Sequence, residues 1–454
     1  MSFWKNYTAK IALFRIGLAA LALCACAANP LPLCAKGAPE ERPFRFALLG
    51  SPDTLDPHKT AGTLTFQVLK SIYDTLVEPD EKGAIVPALA ESWTISGDGR
   101  LWTFHLRGGV VFHNGETLTS RDVKASLDRM RNPLTANPQA HEYAAITDTR
   151  TPDERTLELV LSGPSAPLLA ALASGWSAIL PASLIEKGHD FASHPVGTGP
   201  FVFGQWLRDN KVSLKKNPSY WMPGLPKISA LEFRVIPERA VQVQGLLTGE
   251  LDAAELYDAG DAALLEKSST AKIEKGLSSF VQVVAINTSR PPLSDPRVRQ
   301  ALNHAVDRQK ILDIAYGGGS PIGTFMDSGD PYYKDFTGLY PYDPEKAANL
   351  IREAAPSFEK PLEIAVPQNF EYHVRASQLY KEMFAKAGIP TTIRLVDWST
   401  WLSEIYGKSN FDLTVIAHTG KLDPDLRLAN YGREKNYVRW TNAENSKLLA
   451  QART

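Results

Sequence analysis

An α/β protein made of two or three packed domains is the fold class that this sequence predicts, on three observations. Strand patterns and helix patterns alternate along the chain, and part of the series favours parallel strands joined by helices. The length of 454 residues exceeds what one simple core accommodates. Hydrophobic residues make up 44% and charged residues 22%, which are ordinary values for a globular protein. The formal net charge is -1, so nothing points to nucleic acid or to an anionic membrane surface as a partner.

The chain begins with the pattern of a secretory signal. Basic residues precede an uncharged stretch over 16–35, and no acidic residue occurs before Glu40. A basic start, a short apolar run and then small residues predict a signal peptide over residues 1–35 and export from the cytoplasm. Two alternatives stay open, namely lipidation at Cys26, which stands in a lipobox-like stretch, and an uncleaved anchor. The anchor is disfavoured because the apolar run is shorter than the roughly 20 residues that span a bilayer.

The N-terminal half alternates between strand and helix patterns. Phe44, Phe46 and Leu48 share one face of the first predicted strand. Thr119 is the predicted N-cap of a helix whose third position is Asp122, as in a capping box. In chain order, the patterns predict strand 44–49, helix 65–77, strand 101–111, helix 120–130, strands 156–161, 212–216 and 231–236, helix 238–249 and strand 281–286.

A βαβ-like series dominates the C-terminal half. The predicted elements are, in chain order, helix 296–314, strand 361–366, helix 374–386, strands 391–396 and 411–416, and helix 441–453. Val298, Ala301, Leu302 and Val306 lie on one face of the first of these helices. The last of these helices is expected to begin at Asn442. Strands separated by a helix favour parallel pairing, so this half is expected to form an α/β lobe.

The usual signatures of catalysis and of nucleotide or metal binding are missing from the sequence. It holds no G-x-S-x-G nucleophile elbow and no H-E-x-x-H pair among its nine histidines. The glycines at 197–199 do not continue into a dinucleotide fingerprint, and those at 317–319 lack the Lys-Ser/Thr of a P-loop. All three cysteines lie within 24–34, so no disulfide framework or cysteine nucleophile is expected in the folded region. We therefore expect no enzyme, no cofactor and no metal, and an exported hydrolase is the less favoured alternative.

Nine separate stretches resemble one protein family. They are 87–93, 97–99, 102–107, 111–115, 121–123, 195–201, 216–221, 293–302 and 342–347. Together they resemble the extracellular solute-binding proteins of family 5, a peptide/nickel group that includes dipeptide-, oligopeptide-, glutathione- and nickel-binding proteins. The resemblance runs from about residue 44 to about residue 450. The aromatic residues in these stretches are expected to form a core cluster rather than a ligand platform.

The resemblance implies a two-lobed periplasmic-binding-protein clamp of type II, cluster C, with an extra inserted subdomain. Lobe I is expected over 40–77 and 195–285, the inserted subdomain over 78–194, and lobe II over 286–454. Family members usually continue further, so lobe II is expected to be incomplete at its C-terminus. Poor stability or impaired closure is the expected consequence, because part of the core cover would be missing.

The function that the resemblance implies is capture and delivery. The protein is expected to bind a small solute (a peptide, an opine-like compound or another anionic compound) in the periplasm. It would pass the solute to the permease subunits of an ABC importer, whose ATPase supplies the energy. We expect a monomer that contacts the membrane only through the permease or through a lipid anchor. The alternatives are a ligand-sensing or chaperone-like protein of the same fold, or a non-functional truncated product.

Cleft-facing loops supply the ligand contacts in this family. The matching positions here are Thr60, Gly62, Thr63, Tyr257, His418, Thr419, Gly420 and Lys421. In peptide-binding members the last loop resembles T-G-D, and its aspartate receives the α-ammonium of the peptide. Lys421 stands at that place here, and it would repel an ammonium. The segment 366–369 also lacks the arginine that binds the carboxylate in dipeptide binders. A solute with a carboxylate, phosphate or sugar-acid group facing Lys421 is the resulting hypothesis, and a solvated loop lysine is the alternative.

Overall fold

The fold is known from a computed structural model that describes residues 42–256, 259–276, 280–326, 328–330, 332–418, 420–432 and 436–453. In this part of the chain the strands form one five-stranded, two four-stranded and one two-stranded sheet. The mixture of helices and sheets confirms the predicted α/β class. The predicted signal peptide, Cys26, Tyr257 and Thr419 lie outside the described residues.

The strands and helices alternate through the described part. The strands are β1 (Phe44–Leu48), β2 (Val77–Pro79), β3 (Ile85–Pro87), β4 (Ala90–Ile95), β5 (Leu101–Leu106), β6 (Ile146–Asp153), β7 (Thr156–Leu161), β8 (Phe201–Leu207), β9 (Lys211–Lys216), β10 (Ala230–Val235), β11 (Ala253–Ala254), β12 (Val281–Ile286), β13 (Leu362–Pro367), β14 (Thr391–Val396) and β15 (Leu413–His418). The helices are α1 (Thr63–Leu69), α2 (Ser120–Arg131), α3 (Leu168–Ala173), α4 (Ala182–Glu186), α5 (Arg239–Thr248), α6 (Ala259–Glu266), α7 (Pro296–His304), α8 (Arg308–Ile311), α9 (Pro344–Ala354), α10 (Glu371–Lys386), α11 (Trp398–Thr400), α12 (Pro424–Leu428) and α13 (Ala443–Ala452). None of the described helices combines the length and the apolar character that crossing a bilayer requires.

The five-stranded sheet has the order β11-β1-β10-β9-β8. Its β1 is parallel to both β10 and β11, and Phe46 lies opposite Phe233 on one side and Ala253 on the other. The strand predicted from the alternation of Phe44, Phe46 and Leu48 is confirmed. Parallel pairing places the carboxyl ends of β1, β10 and β11 at the same edge of the sheet.

A second sheet, antiparallel throughout, has the order β4-β5-β7-β6 and packs against α2. Trp102, Phe104 and Phe112 are buried in its core, and Trp93 packs against them. The prediction that these aromatic residues form a core cluster is therefore confirmed. Their burial is a large part of what holds this unit together, since an aromatic side chain removes more apolar surface from water than most others.

The third large sheet has the order β12-β15-β13-β14. β13 is parallel to β14 and to β15, and α10 connects β13 to β14, which confirms the predicted βαβ series. Helix α10 buries Ala376, Met383 and Phe384 against the sheet. β12 is antiparallel to β15 and forms one edge. This strand lies in the third sheet, although the predicted boundary assigns residues up to 285 to lobe I.

Helix α1 is shorter than the sequence predicted. It ends at Leu69, whereas the helical spacing extends to residue 77. The carbonyl groups of Ser71 and Ile72 accept hydrogen bonds from the N–H groups of Phe201 and Gly199, each at 2.9 Å. A Cβ atom at Gly199 would lie 2.4 Å from the carbonyl carbon of Ile72, so only glycine permits this approach. Pairing with this segment therefore replaces the last turns of the predicted helix.

Side-chain caps mark where other helices begin. The N–H of Thr119 donates to Asp122 Oδ2 at 2.8 Å, which confirms the predicted capping box. Asn442 accepts a hydrogen bond from the N–H of Asn445 at 2.9 Å and caps α13 as predicted. The single helix predicted over 296–314 is wrong. Asp307 caps a new helix, α8, after α7 has ended, because its carboxylate accepts the N–H of Lys310 at 3.1 Å.

Candidate functional site

The carboxyl ends of parallel strands from two different sheets meet at a narrow cleft. Leu49 follows β1, Pro237 follows β10, and Leu256 follows β11, all from the five-stranded sheet. Asn369 follows β13 of the third sheet, and Tyr372 lies in the first turns of α10. Open α/β sheets bind ligands outside the carboxyl ends of their strands. This cleft is therefore the candidate solute site.

The cleft is nearly closed. Its volume is about 30 Å³, which is space for one or two water molecules. A Cβ atom at Gly50 would lie 3.7 Å from Asn369 Nδ2, so the two sides approach within contact distance. Pockets for small molecules usually have volumes of roughly 300 to 1,000 Å³. A solute therefore enters only if the two sides separate.

Thr60, Gly62 and Thr63 lie in the loop and the first helical turn after β1. Thr60 is buried, and its hydroxyl donates to Asp53 Oδ1 at 2.9 Å and accepts the N–H of Gly62 at 2.9 Å. The N–H of Asp53 in turn donates to Thr65 Oγ1 at 3.0 Å. Thr63 is the first residue of α1 and is half-buried. The structure thus uses Thr60 and Gly62 to fix the conformation of this loop.

His418 is half-buried at the end of β15 and lies near the buried His373. Its Nε2 is 2.7 Å from the hydroxyl of Tyr437, and His373 Nδ1 is 3.0 Å from the hydroxyl of Tyr316. Burial, and then the charge of Arg427, lower the pKa of His418 to about 3. Burial, and then the nearby His418, lower the pKa of His373 to about 3. Both rings are therefore neutral at ordinary pH and act as hydrogen-bonding groups.

Five aromatic residues form what we call the aromatic wall: Phe370, Trp398, Trp401, Tyr406 and Tyr437. The Phe370 and Trp398 rings meet edge to face at 5.4 Å, and the Trp398 and Trp401 rings are parallel at 5.2 Å. Tyr406 connects Trp401 to Tyr437. Such rings offer flat apolar faces while their N–H and O–H groups hydrogen-bond. Phe370, Trp401 and Tyr437 are buried, and the wall extends from the ends of β13 and β14 to Tyr437, which lies beside His418.

The predicted solute-facing Lys421 is paired within the protein. Its Nζ donates to Glu142 Oε1 at 3.0 Å, although the two residues are 279 positions apart in the chain. Only 3% of the Glu142 side chain is exposed. Burial raises the pKa of Glu142, and the charge of Lys421 opposes that rise. Gly420 is half-buried beside this pair. The charge of Lys421 is thus compensated by a carboxylate of the same chain.

Several buried polar atoms near these elements have no hydrogen-bond partner among the described residues. They are Gln139 Oε1, His141 Nε2, Glu142 Oε2, both amide atoms of Asn369, and Trp398 Nε1. The great majority of buried polar groups in proteins are hydrogen-bonded, so these atoms need partners from outside the described residues, such as a solute or water. The sequence reasoning did not name Asn369 and Trp398. Their positions two residues after the ends of β13 and β14 could have identified them.

Arginine side chains also reach the cleft. Arg375, on α10, lines it and donates from Nη2 to a backbone carbonyl at 3.1 Å. Arg239, at the start of α5, lines the opposite side and pairs with Asp261 at 2.9 Å. Glu255 and Glu371 lie among the same groups. The sequence reasoning noted the missing arginine just after β13, but it did not foresee that α10 brings one to the cleft.

A larger groove lies elsewhere and has a different character. It measures about 1190 Å³ and lies between Leu251 and Leu265 on one side and Val284, Leu302 and Phe384 on the other. β12, which supplies Val284, is an edge strand of its sheet. We assign the solute site to the smaller cleft because its polar atoms need partners and because it lies at the carboxyl ends of parallel strands.

The polar groups of the cleft are suited to hydrogen bonding. Within the described ranges, no group of three or more His, Cys, Asp or Glu side chains comes together as a metal site would require. Asn369, Glu371 and Arg375 line it from the side of the third sheet, and Arg239, Gln242 and Glu255 line it from the side of the five-stranded sheet. Such an arrangement orients a polar solute through a few well-placed hydrogen bonds.

The family pattern, the related sequences and the solved structures that match this chain are all those of binding proteins. The pattern of the bacterial extracellular solute-binding proteins, family 5, matches residues 84–437. The glutathione-binding protein GsiB of Escherichia coli O1:K1 is 31% identical over 356 residues, which cover 78% of this chain and 70% of that protein. The PBP AgaA of A. tumefaciens R10, solved with agropinic acid, is 31% identical with a TM-score of 0.81, covering 91% of this chain and 86% of its own. DppA of Helicobacter pylori, solved with the peptide STSA, is 26% identical with a TM-score of 0.82, covering 90% and 86%.

Proposed function

We propose a solute class and a closing motion for this protein on the premise that the chain belongs to the bacterial extracellular solute-binding proteins, family 5. Like other proteins of this family, it binds a solute and delivers it to an ABC transporter. Its relatives are periplasmic binding proteins that work with permease and ATPase subunits. For this chain we propose the same partners and location, and that it acts as a monomer without catalysing a reaction.

The solute is a small acidic compound, of the kind represented by a peptide or an opine-like acid. Two relatives at 31% identity are named for glutathione or solved with agropinic acid, and both compounds carry carboxylates. The observation that carries the proposal is that Arg375 lines the cleft beside the unpartnered amide of Asn369. A guanidinium binds a carboxylate with two parallel hydrogen bonds. Because Lys421 is paired with Glu142, Arg375 takes the role first assigned to Lys421.

Binding proceeds by separation and closure of two lobes. The proposed lobe I comprises 40–77 and 195–280, with 78–194 inserted, and lobe II begins at 281. The boundary moves from 286 to 281 because β12 is hydrogen-bonded to β15 of the third sheet. The narrow cleft supports this motion, since its present volume of about 30 Å³ admits no solute. The predicted ligand residues Thr60, Gly62, Thr63, Tyr257, His418, Thr419 and Gly420 stay part of the proposal.

Calorimetric titration with glutathione, agropinic acid and alanyl-glutamate tests the solute class. At least one of these acids should bind, and Arg375→Gln should weaken that binding about 10- to 100-fold, the range expected for a hydrogen bond to a charged group. Arg150→Gln is the matched control, because Arg150 is exposed and pairs with Asp148. The proposal is wrong if no acid binds, or if Arg375→Gln binds as the control does.

A further inference from the structure

The short 3-10 turn Ala140–Tyr143 brings a carboxylate from the antiparallel-sheet unit to the aromatic wall. Glu142 is on this turn, and its side chain is 3% exposed. Its Oε1 accepts a hydrogen bond from Lys421 at 3.0 Å, and Lys421 stands three residues after His418, whose ring lies 5.6 Å from that of Tyr437 in the wall. The turn is thereby joined to the loop that carries the predicted ligand residues His418 and Lys421. None of the nine stretches that carry the resemblance, and none of the predicted ligand residues, lies in this turn.

The two oxygens of Glu142 have different surroundings. Oε1 accepts the hydrogen bond from Lys421 at 3.0 Å, and Oε2 is buried without a hydrogen-bond partner among the described residues. A buried carboxylate oxygen without a donor is costly, and hydrogen bonds to charged groups are among the stronger ones in proteins. One oxygen is therefore held by Lys421, and the other needs a donor from outside the described residues.

The segment that carries Lys421 is itself held against the antiparallel-sheet unit. Leu426 of α12 is buried within the hydrophobic core of that unit. Arg453, after α13, pairs with Asp425 at 2.9 Å, and its carbonyl accepts the N–H of Ala166 at 3.1 Å. These contacts fix the approach of Lys421 to Glu142. The bond to Oε1 is thus part of a larger interface, and the direction in which Oε2 points is fixed with it.

We propose that Glu142 is a specificity-determining residue of the solute site, whose Oε2 accepts a hydrogen bond from an uncharged donor of the solute, a hydroxyl or an amide N–H. A solute carboxylate at this point would be repelled by Oε2. A solute ammonium group would gain little electrostatic attraction at this point, because the Glu142–Lys421 pair has no net charge. The inference rests on the proposed acidic solute, whose carboxylate lies toward Arg375 and whose donor lies toward Glu142.

The test uses the full chain, with glutathione, agropinic acid and alanyl-glutamate as probes. Glu142→Gln should weaken the tightest-binding probe about tenfold or more, the change expected for a hydrogen bond to a charged group. Glu142→Asp keeps the charge but withdraws the oxygen, and it should weaken the probe as well. Glu91→Gln is the control, because Glu91 pairs with Arg155 at the surface. Its affinity should equal that of the wild type.

A second variant separates binding from folding. Glu142→Gln leaves Lys421 without its counter-charge, so the thermal stability of the solute-free protein falls as well. The double variant Glu142→Gln/Lys421→Met removes both charges, and its melting temperature should return toward that of the wild type while the affinity stays low. Recovery of affinity together with stability would show a purely structural role and overturn the inference. A wild type that binds none of the probes overturns the proposed solute class and this inference with it. If Glu142→Gln binds the tightest-binding probe as the wild type does, this inference is overturned while the proposed solute class stands.

Discussion

Acidification should destabilise this protein through three buried histidines. Burial is the largest cause that lowers the pKa of His58 to about 4 and the pKa values of His373 and His418 to about 3. In the unfolded chain a histidine has a pKa of about 6.5. The unfolded state therefore binds more protons than the native state between these values. The stabilising contribution is fully present above about pH 6.5, and it is lost progressively as the pH falls toward the folded pKa values.

The size of the loss follows from these pKa values. At pH 5.5, one unit below 6.5, each histidine lowers the free energy of unfolding by about 1.4 kcal/mol. The three together therefore lower it by about 4 kcal/mol at pH 5.5 relative to pH 7.5. Asp74 acts in the opposite direction, since burial raises its pKa to about 6 in spite of the hydrogen bond from Trp221. Acidification from pH 7.5 to pH 5.5 raises the contribution of this residue to the free energy of unfolding by about 0.8 kcal/mol. The loss from these four residues together is therefore about 3 kcal/mol.

Urea unfolding followed by tryptophan fluorescence at about pH 7.5 and about pH 5.5 measures this difference. His418→Gln, which keeps a polar group near Tyr437, should reduce this difference by about 1.4 kcal/mol, which is nearly half of it. His105→Gln is the matched control, because His105 is exposed on β5, and it should leave the pH dependence unchanged. Equal unfolding free energies at the two pH values would refute the reasoning, because burial would then have no effect on these histidines.

Three further predictions concern packing and charge. Gly175→Ala should lower the melting temperature, because its Cβ would lie 1.9 Å from Phe66 Cε2. The double variant Gly175→Ala/Phe66→Leu should recover part of the loss. A Gly175→Ala variant as stable as the wild type would contradict this contact. Asp56→Asn should cost about 3–5 kcal/mol in urea unfolding, because it leaves the guanidinium of Arg129 buried without its carboxylate; a loss below about 1 kcal/mol contradicts the prediction. The groove of about 1190 Å³ should bind the dye ANS through its apolar residues, among them Val284, Leu302 and Phe384. Val284→Lys should reduce the dye fluorescence, and equal fluorescence in both proteins would contradict binding at this groove.

The predictions of strands and helix starts were correct where the local sequence pattern decides the structure. The alternation around Phe46 predicted β1, and the spacing from Thr119 to Asp122 predicted the start of α2. Both signals depend on neighbours within a few positions of one another. The helix over 65–77 was too long because Ile72 pairs with Gly199, which is more than a hundred residues away. No local spacing contains that partner.

The candidate site was predictable only in part. The loop at His418 was correctly placed at the end of a strand, and this position follows from the order of the elements. The polar groups of the cleft around Arg375 and Asn369 were missed, because which face of α10 meets the five-stranded sheet depends on how the two sheets pack. The partner of Lys421 was also missed, since Glu142 lies on a turn with no motif of its own.

The sequence alone determined the α/β class, the family resemblance, and most strands and helix caps of this protein, because periodicity and capping bonds act between near neighbours. The tertiary structure alone decided that Lys421 is neutralised by Glu142, that His373 and His418 are uncharged, and that Asn369 lies opposite Gly50. Charge compensation and burial depend on distances between residues far apart in the chain. Those distances exist only after the sheets have packed together.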